Sequence, residues 1–405
     1  MLPELASNIN WVGHIDWTVR EFHGYNTKDG STYNAYLVRD EKTALIDTVK
    51  GPYAGSLLAH IAELCDPASI DYIVCNHAEP DHSSALPEIV RAAPNAAIVC
   101  NEKCRVALSQ HYHAEGWNFK VIGDGETLAL GRRTLQFFNT PMAHWPESMA
   151  TYVPEDGVLF SMDAFGQHLA TSERFDDELP LQTILDAAKT YYANIVMPYG
   201  KPVQAALARL GALKLDIVAP SHGVIWRKNF AAIVAEYQKW AATKSGKKIV
   251  VIYSTMWNST RQMAEAICEG AQSAALADAA AAGVAIKLID VNATHDTQTV
   301  TEMMDAAVFA VGSATLNQGI MPAMARLLVY AKGLRPLGKK GFAFGSFGWA
   351  EKGATQAEQY LKEMGVELMR PVLTSKFRPT EALLAECRAA GAEAARLAAN
   401  GKWTT

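Results

Sequence analysis

A regular alternation of apolar strands and helical segments runs from Lys248 toward the carboxyl end of the 405-residue chain. The strand-like runs are KIVVIY, VAIKLIDV, AVFAVGS and KKGFAFGS, and helix-like segments such as STRQMAEAICEGA and MPAMARLLVYAKG follow them. This alternation is typical of a doubly wound parallel sheet, because a crossover helix joins each parallel strand to the next. The pattern therefore predicts an α/β domain over residues 247–405.

Residues 1–246 have a different rhythm, in which short apolar runs such as TALIDTV, DYIVCN and TLQFFNT are separated by turns. Helix-like GSLLAHIAEL lies between two of them, so this half is predicted to be mixed α and β. Small and basic residues dominate AATKSGKK, residues 241–248, which is typical of a linker. We expect two domains, 1–246 and 247–405, in keeping with one core per roughly 150 residues.

The charge and the amino terminus exclude several kinds of partner. A net charge of -5 provides no field that would gather nucleic acid or an anionic membrane. The amino-terminal MLPELASNINWVGHIDW lacks the pattern of a signal peptide, and we find no run of roughly 20 apolar residues that would span a bilayer. We expect a cytoplasmic protein that binds neither nucleic acid nor membrane.

The segment CNHAEPDHSS concentrates His77, Glu79, Asp81 and His82 within six positions between a strand and a helix. Burying unpaired carboxylates would cost several kcal/mol, whereas bound divalent cations reverse the sign of that cost. A solvated polar turn is the alternative. The density of ligand-type side chains favours a metal site.

Three more ligand-type residues each follow an apolar strand, as the cluster at 77–82 does. His144 follows TLQFFNT, Asp163 follows GVLFSM, and His222 follows LDIVAPS. Loops at the ends of sheet strands converge, so we expect all seven side chains to meet. Five other histidines, at 14, 60, 111, 113 and 295, are interpreted as core or surface residues.

Three loops of the second domain follow strands at the expected switch point of the sheet, where doubly wound sheets bind their ligands. STMWNST at 254–260 places hydroxyls at a helix start, which favours a single phosphate. GSATLNQG at 312–319 and GSFGWAEKG at 345–353 are glycine-rich, and Phe347 and Trp349 can flank a flat ring. Each loop alone could be an ordinary cap or turn. The predicted residues of a flavin mononucleotide (FMN) site are Thr255, Met256, Asn258, Ser259, Thr260, Ser313, Ala314, Thr315, Asn317, Ser346, Phe347, Gly348 and Trp349.

Both halves resemble known families. The three loops resemble those of flavodoxins, with Ala314 where proline is commoner. The cluster resembles the HxHxDH motif of the metallo-β-lactamase fold, which implies an αββα sandwich. Glu79 stands where the hydrolases have a histidine, and the harder oxygen ligand suits iron or manganese better than hydrolytic zinc.

The combination closely resembles the flavodiiron proteins over essentially the whole chain, including HWPES at 144–148 and SHGVIW at 221–226. The resemblance implies that one iron, nearer the flavin, is held by His77, Glu79 and His144. It implies that the other iron is held by Asp81, His82 and His222 and that Asp163 bridges the two, with His82 the ligand that a water could replace. His23, His168 and Tyr192 are implied to line the pocket for the gas.

The implied activity is reduction of O2 to water, of NO to N2O, or of both, with O2 favoured. Two ferrous ions and reduced FMN together hold the four electrons that O2 requires. The sequence contains no CxxC pairs of the kind that bind iron in rubredoxin. A separate electron donor such as rubredoxin is therefore expected. The resemblance also implies a head-to-tail homodimer or a tetramer, with Trp145 and Trp349 at the junction between subunits.

Two other hypotheses stay open on sequence grounds. One is a dinuclear zinc hydrolase with an attached flavodoxin domain, against which Glu79 and the flavin loops speak. The other is an electron carrier with a vestigial metal domain, against which the full set of seven ligands speaks.

Overall fold

The protein, described by a computed structural model over residues 2–399, divides into two compact units. The first contains the chain up to Tyr191 together with Lys201–Gln238. The second contains Tyr192–Gly200 and the chain from Lys239 onward. The predicted boundary at 246 and 247 lies a few residues beyond this division, and the short segment Tyr192–Gly200 was not expected in the second unit.

Up to residue 241 the chain forms short strands and seven α-helices within the described residues. The strands are β1 (Glu4–Ala6), β2 (Ile9–Trp11), β3 (His14–Asp16), β4 (Glu21–Phe22), β5 (Tyr25–Asn26), β6 (Ser31–Tyr33), β7 (Tyr36–Arg39), β8 (Thr43–Ile46), β9 (Tyr72–Val74), β10 (Ala97–Cys100), β11 (Phe119–Val121), β12 (Thr127–Ala129), β13 (Thr134–Asn139), β14 (Met149–Val153), β15 (Val158–Met162) and β16 (Ile217–Pro220). The helices are α1 (Ala54–Ala62), α2 (Pro80–Ser83), α3 (Leu86–Ala92), α4 (Glu102–Tyr112), α5 (Leu181–Tyr191), α6 (Gly200–Leu210) and α7 (Phe230–Ala241).

Two sheets enclose the core of the first unit. One has the order β1-β2-β7-β8-β9-β10-β11 and the other β12-β13-β14-β15-β16. Buried side chains of both sheets form one cluster, in which Val38 and Ile46 of the first sheet join Phe137 and Phe160 of the second. This confirms the predicted sandwich of two sheets. The strands that precede the ligands, β9, β13, β15 and β16, therefore have one face fixed by the shared core.

The second unit is a parallel sheet with helices on both faces. Its strands are β17 (Lys248–Ser254), β18 (Ala285–Asp290), β19 (Val308–Ser313), β20 (Thr315–Leu316), β21 (Gly319–Ile320), β22 (Lys340–Phe347), β23 (Glu367–Leu368) and β24 (Leu373–Lys376). Its helices are α8 (Ser259–Ala277), α9 (Asp296–Met304), α10 (Pro322–Leu334), α11 (Gly353–Glu363) and α12 (Glu381–Ala399). The order β18-β17-β19-β22-β23, with β24 also paired to β22, confirms the predicted flavodoxin-like sheet.

Strand β17 shows why the strands of this sheet appear in the sequence as continuous apolar runs. All seven of its residues are buried, since helices cover both faces. Ile249 and Val251 point to the face packed by α8 and α12, where Ile267 and Ala390 join them. Alternate residues point to the opposite face. The carboxyl ends of β17, β19 and β22 consequently lie side by side, as a shared ligand site requires.

No helix within residues 2–399 combines the length and the apolar character needed to cross a membrane.

Candidate metal centre and flavin site

The seven predicted metal ligands all follow strands of the two sheets in the first unit. His77 and Glu79 come after β9, and Asp81 and His82 lie in the single turn of α2. His144 follows β13, Asp163 directly follows β15, and His222 follows β16. All but His144 are buried by residue exposure, and the side chain of His144 is only 11% exposed.

The side chains form two groups that could each hold a metal ion. The first contains His77, Glu79, His144 and Asp163. His144 Nε2 lies 3.2 Å from both Glu79 Oε2 and Asp163 Oδ2, and His77 Nε2 lies 3.1 Å from Glu79 Oε2. Four ligand atoms therefore surround one point.

The second group contains Asp81, His82 and His222. Asp81 Oδ2 lies 3.1 Å from His82 Nε2 and 3.2 Å from His222 Nε2. The other carboxylate oxygen of Asp163, Oδ1, lies 3.3 Å from His82 Nε2 and 3.6 Å from His222 Nε2. Asp163 thus presents one oxygen to each group, which is the arrangement of a bridging carboxylate.

These spacings match those of ligands around a common ion. Nitrogen and oxygen ligands at about 2.1 Å from a metal lie roughly 3.0–3.5 Å from one another in octahedral or tetrahedral arrangements. Both ring nitrogens of His82 and Asp81 Oδ1 are buried without a hydrogen-bond partner among the described residues. Such buried polar atoms carry a large desolvation cost that a bound cation would offset. The residues therefore fit two metal ions.

Hydrogen bonds from residues outside the two groups fix the orientation of two of the histidine rings. His77 Nδ1 donates to Glu147 Oε1 at 2.7 Å, and His222 Nδ1 donates to the carbonyl oxygen of Thr32 at 2.6 Å. Donation from Nδ1 leaves the Nε2 lone pair free for a metal. Burial alone would raise the pKa of Glu147, but the hydrogen bond from His77 holds that pKa below its ordinary value. Glu147 lies in the HWPES segment and was not predicted as a site residue.

A buried polar clamp holds the loop that carries the ligands after β9. Asp47 accepts hydrogen bonds from the backbone N–H and the side-chain amide of Asn76, both at 2.8 Å. Asn76 in turn accepts from the hydroxyl of Thr151 in β14 at 2.7 Å. The clamp ties the residue before His77 to both sheets, so the first ligand has little freedom to move.

Two of the three predicted pocket residues lie beside the ligands. His23 occupies the turn between β4 and β5, where its Nε2 is 3.1 Å from Glu79 Oε1. The ring of His168 lies 4.9 Å from that of His222, and Ser31 Oγ is 2.8 Å from His168 Nδ1. Burial lowers the pKa of His168 well below its ordinary value, so its ring is neutral. A cavity of about 220 Å³ borders His168.

Tyr192 has a different environment from the one expected. Its ring packs against Trp240, 5.1 Å between centroids, in the second unit. The preceding residue, Tyr191, contacts His168 at 5.0 Å and His222 at 5.8 Å. Consecutive helical side chains diverge by about 100°, so only one of two neighbouring tyrosines can face the ligands.

The second unit contains a cavity of about 970 Å³ at the predicted flavin loops. Nine predicted residues line it, namely Met256, Ser259, Ala314, Thr315, Asn317, Ser346, Phe347, Gly348 and Trp349. A volume of this size is large enough for a cofactor of the size of FMN. Its rim is aromatic, since Trp257 is 86% exposed and Trp349 is 89% exposed.

The other four predicted flavin residues support the walls. Thr260 Oγ1 lies 2.9 Å from Ser346 Oγ, and Ser313 Oγ accepts from the N–H of Met321 at 3.0 Å. Asn258 precedes α8 with a left-handed backbone, and its side chain makes no capping hydrogen bond. Thr255 Oγ1 is buried and has no hydrogen-bond partner within residues 2–399. An uncapped helix start beside an unsatisfied hydroxyl fits a phosphate group.

Several cavity residues were missed from the sequence. Trp257, Leu316, Gln318 and Ala350 lie within or beside the predicted loops, and their neighbours were the only signal. Asn317 and Gln318 both have positive φ, because GSATLNQG folds into a tight hairpin of β20 and β21. Phe377 and Arg378 come from the loop after β24, which was not considered.

Known proteins resemble both units and the whole chain. The ODP family beta lactamase model matches residues 32–223, and the flavodoxin model matches residues 251–391. The nitric oxide reductase of Moorella thermoacetica is 40% identical over 400 residues, which cover 97% of this chain and 98% of that protein.

Two solved structures superpose over nearly the full length. Rubredoxin oxygen:oxidoreductase from Desulfovibrio gigas has a TM-score of 0.95 at 39% identity, covering 100% of both chains. The flavodiiron protein from Giardia intestinalis has a TM-score of 0.94 at 35% identity, covering 98% of this chain and 97% of that one.

A paired metal site on a lactamase-like sandwich, followed by a flavodoxin domain, defines an oxidoreductase that uses FMN and two iron ions. The chain belongs to the flavodiiron proteins. The predicted family, fold class and cofactors are confirmed.

Thr255 offers a test of the phosphate end of the flavin site. We expect Thr255→Val to weaken FMN binding about tenfold, because it removes a hydroxyl that is otherwise unsatisfied. Stability of the FMN-free protein should be unchanged or higher, since the methyl group replaces a buried polar atom.

Riboflavin, which lacks the phosphate, is the matched ligand. Its dissociation constant, measured by flavin fluorescence quenching, should be the same for the two proteins. An equal loss of riboflavin and FMN affinity would contradict a role for Thr255 at the phosphate.

Proposed function

We propose that the protein reduces O2 to water, with NO as a second substrate, at a diiron centre in the first unit. In this proposal one iron is held by His77, Glu79 and His144, and the other by Asp81, His82 and His222. Asp163 bridges them. The observation that carries the proposal is that each oxygen of Asp163 faces a different ligand group, at 3.2 Å from His144 and 3.3 Å from His82.

The chemistry of the donor set supports iron over zinc. The donor set contains four imidazoles and the three carboxylates of Glu79, Asp81 and Asp163. Hard oxygen ligands favour a redox-active metal such as iron over a hydrolytic zinc pair. When bound, two ferrous ions and reduced FMN can supply the four electrons that convert O2 to two waters, or twice the two that convert two NO to N2O and water.

Side chains next to the two ligand groups form the surroundings in which the gas would bind. His23 Nε2 contacts Glu79 Oε1 from the turn between β4 and β5, and its side chain is 64% exposed. We assign His23 as the group that exchanges protons between solvent and the centre. His168 is buried and neutral, and it shapes the opposite wall with Tyr191. Nearby aromatic rings, such as that of Phe22 against His168, limit access of bulk water.

A small electron carrier supplies the electrons in this proposal, and rubredoxin is the candidate. The name of the Desulfovibrio gigas relative includes rubredoxin, and that relative covers the full length of this chain. The exposed aromatic rim of the flavin cavity supports contact with another protein, because clusters of exposed apolar side chains mark interaction sites.

The same rim supports assembly of the chain with itself. We propose a head-to-tail homodimer in which the flavin of one subunit serves the diiron centre of the other, with Trp349 at the junction. Light scattering of the cofactor-loaded protein should give about twice the 44.0 kDa chain mass or a multiple of that. A monomeric mass at micromolar concentration would contradict this assembly.

The activity itself is tested with iron- and FMN-loaded protein and reduced rubredoxin. We expect consumption of four electrons per O2 without release of peroxide, and a higher kcat/KM for O2 than for NO, measured with gas electrodes. The zinc-loaded protein with FMN is the matched control: it should not reduce NO, and it should consume O2 only slowly and with release of peroxide, because zinc has no redox chemistry and only the reduced flavin reacts.

Each outcome separates one part of the proposal. Turnover with dithionite but not with rubredoxin would contradict rubredoxin as the donor, while the proposed reductase activity would stand. Faster turnover of NO would overturn the preference for O2. Failure on both gases with both donors would overturn the reductase.

A further inference from the structure

One cationic side chain lines the flavin cavity, and the loops that predicted the cavity do not supply it. Among the residues that line the cavity, Arg378 alone carries a charge at neutral pH. The other lining residues are apolar, hydroxylated or amidic. An anionic cofactor in this cavity would therefore meet its one fixed positive charge at Arg378.

The side chain of Arg378 makes no hydrogen bond or ion pair within residues 2–399. Among the arginines of that range only Arg335 has an equally free side chain, and its backbone N–H donates to the carbonyl oxygen of Lys332. Other surface arginines of the unit are engaged, as Arg326 is with Asp296 at 2.7 Å and Arg396 with Asp278 at 2.6 Å. The guanidinium of Arg378 is therefore available to a ligand.

The backbone holds Arg378 beside the aromatic loop after β22. Strand β24 pairs in parallel with β22, so that Phe347 lies opposite Lys376. The N–H of Phe377 donates to the carbonyl oxygen of Phe347 at 2.7 Å, and Phe377 adopts a positive φ of 62°. A β-carbon added to Gly348 would lie 3.3 Å from the ring of Phe377. The chain thus turns back over Gly348 immediately before Arg378.

The sheet order separates Arg378 from the phosphate end. The phosphate-type loop follows β17, and Arg378 follows β24, with β19 and β22 between them. Three strand spacings of about 4.8 Å amount to roughly 14 Å. Phe347, one of the two residues suited to a flat ring, is hydrogen-bonded through its carbonyl oxygen to Phe377, the residue before Arg378, and Trp349 lines the same cavity. The positive charge therefore belongs to the end of the cavity that takes the isoalloxazine ring.

We propose that Arg378 faces the isoalloxazine ring and stabilises the anionic two-electron-reduced flavin, which raises the reduction potential of the bound FMN. The step is FMN + 2 electrons + H+ → FMNH−, with the electrons from a one-electron carrier or a chemical reductant. The ring is neutral before this step and carries one negative charge after it, so a nearby cation stabilises the product more than the reactant. The inference rests on FMN occupying this cavity and is independent of which gas is reduced.

The size of the effect is limited by solvent. Arg378 is exposed, so its charge is partly screened. We expect Arg378→Gln to weaken the preference for reduced over oxidised flavin about tenfold, which for a two-electron couple corresponds to about 30 mV more negative. Added salt should reduce the difference between the two proteins.

The test is an anaerobic redox titration of FMN in the loaded protein against a reference dye. Arg378→Lys keeps the charge and should retain most of the wild-type midpoint potential. Arg335→Gln removes the other arginine whose side chain has no partner within residues 2–399. Arg335 lies at the end of α10 and outside the cavity lining, so its replacement should leave the midpoint unchanged. Dissociation constants of oxidised FMN and of riboflavin should be nearly the same in Arg378→Gln and wild type.

Two results would overturn the proposal while leaving the flavin site and the reductase intact. An unchanged midpoint in Arg378→Gln with FMN bound would show that the charge does not act on the ring. A loss of affinity for oxidised FMN, but not for riboflavin, would show that Arg378 binds the phosphate. Failure of FMN to bind the wild-type protein would instead overturn the flavin site itself.

Discussion

The two oxygens of the Asp163 carboxylate set the organisation of the first unit. One oxygen faces His77 and His144, and the other faces His82 and His222. Buried carboxylates and imidazoles at this density are stable only where cations balance the carboxylate charge. Four strands of the two sheets end around the same point and bring the ligand-type side chains together there. The hydrophobic core between the sheets holds these strands in place.

The flavin cavity of the second unit has to suit a charged phosphate at one end and a neutral ring at the other. FMN carries its charge at a phosphate, and the flavin ring gains charge only on reduction. Neutral hydroxyls and a helix start at Thr255 and Ser259 suit the phosphate, while the aromatic loop and Arg378 suit the ring. Both ends lie at the carboxyl edge of one parallel sheet, which is where crossover connections leave space for a ligand.

Much of both sites could be predicted because polar residues interrupt apolar strands. The seven predicted metal ligands each follow a buried strand, and that contrast is visible in the sequence. Phe377 and Arg378 were missed because β24, LTSK, is short and mixed in character and does not resemble a buried strand. Tyr191 and Tyr192 could not be separated, since the phase of α5 relative to the ligands is set by packing and not by the local pattern. Glu147 is visible only as a lone carboxylate, and its partner His77 lies 70 positions away in the chain.

The most direct test of the central claim is iron binding by Asp163→Asn. An asparagine side chain offers one acceptor oxygen where the carboxylate offers two. In Asp163→Asn, residue 163 can therefore supply an oxygen to only one of the two ligand groups. After dialysis against a chelator, elemental analysis should give two irons per chain for the wild type and for the surface variant Asp216→Asn, and about one for Asp163→Asn. Mössbauer spectra of the oxidised protein should show magnetic coupling between the irons only in the first two proteins. Two coupled irons retained in Asp163→Asn would contradict a bridging role for this carboxylate.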